Sequence, residues 1–189
     1  MDIPVDVYVT CSEGLLGFLD GILLDPVTNE VTHLVVEDDK LGGIKRLVPI
    51  CEIVKSTFRS ILLRCSACEF SELESFSGRE CFSIPEANEF ANRSPKQIEL
   101  KFDSQVFALD GKVGELDELL IAPDNHHISD LVVRIGYYWG YKDVAIPLAE
   151  VAQFKDNSVY VKLSKSAIAS LPEIPDQLEL ENSQTLRTS

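Results

Sequence analysis

Few residues in this chain have the type and spacing to do chemistry. Cys65-Ser66-Ala67-Cys68 has the Cys-x-x-Cys spacing that offers two thiolates to a zinc ion or closes a redox-active disulfide. A structural zinc needs four ligands, and the five cysteines contain no second such pair. His126-His127 is the one histidine pair. Adjacent residues of an extended strand point to opposite faces, so the two rings are poorly placed to share a metal, and an exposed turn after Pro123 is expected there. His33 stands just before a Leu-Val-Val run, where its side chain can hydrogen-bond backbone near a strand start, a structural role. Carboxylates cluster at Glu37-Asp38-Asp39 and at Asp117-Glu118. Neither cluster has the Asp-x-Asp-x-Asp-Gly spacing of a calcium loop, and the first is expected to be a solvated loop. The chain has no Gly-x-Ser-x-Gly, no phosphate-cradling glycine loop and no Gly-x-Gly-x-x-Gly. No catalytic residue, cofactor site or metal site is assigned, and the chain is expected not to be an enzyme. A metal-binding or redox protein acting through Cys65 and Cys68 is the chemical alternative.

One stretch suits binding better than catalysis: Gly136-Tyr137-Tyr138-Trp139-Gly140-Tyr141. Tyr and Trp combine a large apolar area with a polar tip, which is why they are enriched at interface hot spots. Side chains alternate across a strand, so three adjacent aromatics cannot all face inward. Tyr137, Tyr138, Trp139 and Tyr141 are therefore the partner-binding candidates, for a protein partner or for a homodimer.

The charge balance narrows the partner. With 17 Lys and Arg against 31 Asp and Glu, the net charge is −14, and basic residues are scattered, Lys45-Arg46 being the densest pair. Such a surface repels a phosphate backbone, so direct nucleic-acid binding is not expected. The start, Met1-Asp2-Ile3-Pro4-Val5-Asp6, reads as acidic and unlike a signal peptide. The apolar run 15–24 carries Asp20 and is far too short to span a bilayer. A cytoplasmic protein without membrane insertion is the expectation.

An internal repeat organises the elements. Gly14, Gly17, Asp20 and Pro26 fall on Gly111, Gly114, Asp117 and Pro123, at a constant offset of 111 − 14 = 97. Leu34-Val35-Val36 lands on Leu131-Val132-Val133 at the same offset. After a one-residue slip, Val48-Pro49-Ile50 matches Ile146-Pro147-Leu148 at 146 − 48 = 98. The repeat bears on the cysteines, because Cys11, Cys51 and Cys65 align with Ala108, Ala149 and Leu163, as small buried hydrophobes would.

Each copy reads as short strands closed by a helical turn. Strands are predicted over 5–11, 31–37, 46–49 and 60–65, and over 104–108, 128–135, 143–146 and 158–163. The Asp25-Pro26 and Ala122-Pro123 turns make hairpins. Helical turns are predicted over 67–76 and 164–171, the second with Ser164 as cap and Pro172 as stop. The resulting organisation is a first module over 1–76, a connecting segment over 77–99 with a short helix at 86–91, a second module over 100–173, and a disordered acidic tail over 174–189. A module of this size has a poor surface-to-volume ratio, so the two should gain by packing together.

The order Gly-x-x-Gly, a hairpin with Asp-Pro or Ala-Pro at its turn, His33-Leu34-Val35-Val36 or Asp130-Leu131-Val132-Val133, Val48-Pro49-Ile50 or Ile146-Pro147-Leu148, Glu52-Ile53-Val54 or Glu150-Val151-Ala152, and finally Leu171-Pro172-Glu173 resembles the PRC-barrel family, twice, over roughly 5–75 and 102–173. That family includes the cytoplasmic domain of the photosynthetic reaction-centre H subunit and the C-terminal domain of the ribosome maturation factor. The resemblance implies an all-β fold of two tandem PRC-like β-barrels with short helical turns. It also implies a non-enzymatic interaction or scaffold role in a prokaryotic protein. A ribosome-assembly-type factor binding a basic ribosomal protein is the alternative. The chain lacks the reaction-centre subunit's transmembrane helix and carries a second PRC-like copy in place of the ribosome factor's N-terminal domain, so neither specific role transfers.

Overall fold

The computed structural model describes residues 2–4, 7–25, 28–40, 42–57, 59–77, 98–101, 104–122, 126–137, 140–155 and 157–174. The helix expected at 86–91, the tail from 175 onward, Tyr138, Trp139 and the ring of Tyr137 lie outside the described residues. The chain is all-β with two short helices. In order it forms β1 (Asp2–Pro4), β2 (Tyr8–Cys11), β3 (Gly14–Leu24), β4 (Val31–Asp38), β5 (Lys45–Pro49), β6 (Ile53–Ser56), β7 (Ser60–Leu63), α1 (Ala67–Glu72) and β8 (Ser75–Phe76). There follow β9 (Ile98–Lys101), β10 (Gln105–Ala108), β11 (Gly111–Ile121), β12 (Ile128–Tyr137), β13 (Gly140–Pro147), β14 (Val151–Lys155), β15 (Ser158–Val161) and α2 (Lys165–Ala169). Among the described residues, no helix is long and apolar enough to cross a membrane.

Two sheets result, with one strand order. The first runs β6-β7-β2-β3-β4-β5-β8 and the second β14-β15-β10-β11-β12-β13. In each, one pair is parallel, β2 with β7 and β10 with β15, at matching registers (Tyr8 opposite Ser60, Gln105 opposite Ser158). Bulges recur at aligned places, at Asp20 in β3 and Asp117 in β11, where an extra residue bends and twists the strand. Neither ladder returns to its starting strand among the described residues, so these are two open sheets, and the closed barrels expected from the sequence are not what the hydrogen bonds form.

The repeated glycines have a steric cause. A Cβ at Gly17 would lie 1.9 Å from the carbonyl oxygen of Glu37, and one at Gly114 would lie 2.0 Å from that of Arg134. Strands β3 and β4, and β11 and β12, approach too closely there for any side chain. Gly14 and Gly111 turn the chain into those strands at φ 131° and 122°. The hairpin turns end on aligned left-handed residues, Asn29 at φ 59° and His126 at φ 56°. Each helix is capped by serine. Ser66 accepts from the Glu69 N–H at 3.2 Å while the Glu69 carboxylate accepts from the Ser66 N–H at 2.8 Å, and Ser164 accepts from the Ala167 N–H at 3.3 Å. Each then buries one residue at an aligned position, Phe70 or Ile168.

The sheets do not part where the repeat parts. Strand β1 precedes copy one, yet it pairs with β11 of copy two, with Ile3 opposite Leu119. Strand β9 precedes copy two, yet it pairs with β3 of copy one, with Leu100 opposite Ile22. Sheet membership thus crosses the 1–76 and 100–173 boundaries expected from the repeat. Ile3 and Leu100 are fully buried, and one apolar core contains residues of both copies. Burying a side chain of that size contributes roughly 2 kcal/mol. The two hairpins also meet: the Val31 N–H donates to the His126 carbonyl at 3.0 Å, and the Ile128 N–H donates to the Asn29 carbonyl at 3.3 Å. Between them Glu30 bridges His127, with Nε2 3.3 Å from the carboxylate. The histidine pair is therefore half-buried at the junction of the copies, where the sequence had suggested an exposed turn.

Candidate interaction surface

Strands β2 and β3 place an aromatic pair on the outside of the first sheet. Along β2, Val9 and Cys11 point into the core, so Tyr8 points out, and its register partner on β3 is Phe18. Their rings lie 5.1 Å apart, tilted by 48°. Tyr8 is 51% exposed and Phe18 43%, high values for two touching aromatics. The row continues across the sheet from Phe18 to Glu37, then Lys45, then Phe76. Lys45 is paired with Asp20, and the Glu37 carboxylate accepts from the Gly43 N–H at 3.2 Å. Lys45 and Glu37 thus both have partners on the chain, while Tyr8 and Phe18 face solvent.

Copy two carries no such pair in the same row. Gln105 and Glu115 stand opposite each other where Tyr8 and Phe18 stand, and Arg134 and Asp143 follow. Arg134 bridges Asp117 at 2.9 Å and Asp143 at 3.1 Å. Two residues on, Phe107 and Tyr160 are half-buried and stacked with centroids 5.3 Å apart.

Of the aromatic hairpin, Gly136 pairs with Tyr141 and Tyr137 with Gly140. Tyr141 is 77% exposed. The structure brings Tyr141 together with neither Tyr8 nor Phe18 in any ring contact. Sequence reasoning passed over Tyr8 and Phe18 because they sit ten residues apart. The signal was the alignment itself, which sets two aromatics against a Gln and a Glu.

Several of the groups with chemical potential have partners on the chain. Asp38 is buried rather than solvated: it accepts from the Lys40 N–H at 2.9 Å and from Arg46 Nε at 3.4 Å, and Arg46 donates to the Leu73 carbonyl at 2.8 Å. This ties β4 and β5 to the end of α1. Beside it lies an open pocket of 280 Å³ lined by Leu16, Asp38, Lys40, Ala67, Cys68, Phe70 and Ser71. Cys68 is exposed and Cys65 is buried. Burial pushes the Cys65 thiol up, and Glu52, Cys11 and Glu69 add to it, which works against the thiolate that metal binding and redox attack both need. His33 contacts Thr32 Oγ1 at 3.1 Å, and burial lowers its pKa against the opposing pull of Glu74. Burial also pushes the Glu118 carboxyl up to about 7, with Asp2, Asp117 and Asp143 adding to the effect. No protein-family model matches the chain, and no curated protein matches it significantly.

Proposed function

We propose that this chain is a non-enzymatic interaction module built from two PRC-like repeats, and that its partner surface is the outer face of the first sheet around Tyr8 and Phe18. The observation that carries this reading is the exposed aromatic pair in a row that copy two fills with Gln105, Glu115 and a bridged Arg134. Ordinary surface positions of a small sheet are polar, and the second copy has the means to keep them so. An aromatic pair left in water costs solubility and is retained where something covers it. The partner is a protein, because the chain's −14 charge opposes a phosphate backbone. Affinity capture with wild type and with Tyr8→Gln/Phe18→Glu, which writes the copy-two residues into copy one, tests the reading. Proteins held by the wild type and lost by the variant support it. Equal capture by both would contradict it.

A further inference from the structure

We infer that the surface between the two repeats is a self-complementary pairing interface in its own right, each repeat serving as the other's partner independently of the chain that joins them. Two contacts that each occur twice carry this, with a third that maps onto itself. In the first exchange Asp2, Ile3 and Pro4 face Leu120, Leu119 and Glu118. In the second, Glu99, Leu100 and Lys101 face Leu23, Ile22 and Gly21. Subtracting 97 from every copy-two number turns one register into the other (99 − 97 = 2, 120 − 97 = 23). The Val31-to-His126 and Ile128-to-Asn29 hydrogen bonds are likewise exchanged by the same shift (128 − 97 = 31, 126 − 97 = 29). The Glu30–His127 bridge maps onto itself, since 127 − 97 = 30, so a local twofold axis passes through it. These are the marks of an isologous dimer interface, in which one patch meets its own equivalent.

The two exchanges are not identical in every residue. A Cβ at position 21 would lie 2.8 Å from the Leu100 carbonyl oxygen, so Gly21 lets β9 seat this closely against β3. The equivalent residue of copy two is Glu118, and it faces Pro4 of β1. The two exchanges thus differ at this one position, where β9 meets a glycine and β1 meets a glutamate. The pair that forms is one copy one with one copy two, and the inference stands whether or not the Tyr8–Phe18 face binds a partner.

The test uses the full chain with a site-specific protease sequence inserted between residues 77 and 98. After cleavage shown to be complete on a denaturing gel, native mass is measured by light scattering. The expected result is a single species at the mass of the uncut chain, which separates into two fragments in denaturant and re-forms as a 1:1 complex when denaturant is removed. Fragments that part, precipitate or pair with themselves on cutting would overturn the inference. In the same cut protein, Ile3→Ala should weaken the complex by about 30-fold or more, as loss of a buried aliphatic does, whereas Val54→Ala on the exposed part of β6 should leave it unchanged. Equal effects of the two substitutions would also count against it.

Discussion

The outer face of copy one and the outer face of copy two share strand order, register and bulges, yet differ in what they show to water. Copy one presents Tyr8 and Phe18, whereas copy two presents Gln105 and Glu115 beside an Arg134 bridged to two aspartates. A second difference lies next to it. Copy one buries the Asp38–Arg46 pair, and copy two fills the aligned positions with Ile135 and Val144. Backbone and most of the core are held in common, so the requirement for folding is met largely by what the copies share.

The largest effect should fall on a shared feature. Gly17→Ala and Gly114→Ala each force a Cβ to within about 2 Å of a carbonyl oxygen, and each should cost roughly 4 kcal/mol in denaturant unfolding. A mild effect at one site alone would mean that the two β3–β4 and β11–β12 approaches are not equivalent. Next comes the buried pair. Asp38→Ala leaves Arg46 buried without its carboxylate and should cost about 3 kcal/mol. Asp38→Ile/Arg46→Val installs the copy-two solution and should recover most of that loss. A double variant as unstable as the single one would show that the copies have diverged in packing there as well as in polarity.

A smaller effect separates the copies by pH. The Glu118 carboxyl is raised from 4.5 to about 7 in the fold, so the folded state holds a proton that the unfolded chain releases. Stability should therefore fall as pH rises from about 4.5 to about 7 and level off above it. Glu118→Gln should flatten that fall by on the order of 1 kcal/mol, a value discounted because the group is partly exposed to screening solvent. Copy one has Gly21 at the aligned position, which does not titrate. Thermal melts of wild type and variant at pH 5 and pH 8 check this. A variant that shows the full wild-type pH dependence would place the titrating group elsewhere.

The all-β class, the repeat and most strands were legible because glycine, proline and β-branched runs recur at one offset. Strands β6, β8 and β14 were not, β8 lying in the stretch 67–76 expected to be helical, and neither were β1 and β9. Each of the last two buries a single aliphatic, Ile3 or Leu100, within three or four residues, too short for any alternation to show, and each pairs with the repeat to which it is not adjacent. Asp38 was read as part of a solvated loop because acidic neighbours surround it, but the register of β4 turns it inward against Arg46. The Tyr137–Tyr141 stretch drew attention by density. Tyr8 and Phe18 come together only through strand pairing, which a linear reading does not display.

Hydroxyl-radical footprinting of the chain, free and bound to a captured partner, tests the central claim most directly, because it reads side-chain exposure ring by ring. In the free chain Tyr8, Phe18 and Tyr141 should all react, in keeping with their exposures of 51%, 43% and 77%. In the complex, we expect Tyr8 and Phe18 to be protected several-fold and Tyr141 to react as before. Protection of Tyr141 with no change at Tyr8 and Phe18 would contradict the account and move the partner surface to the hairpin of copy two.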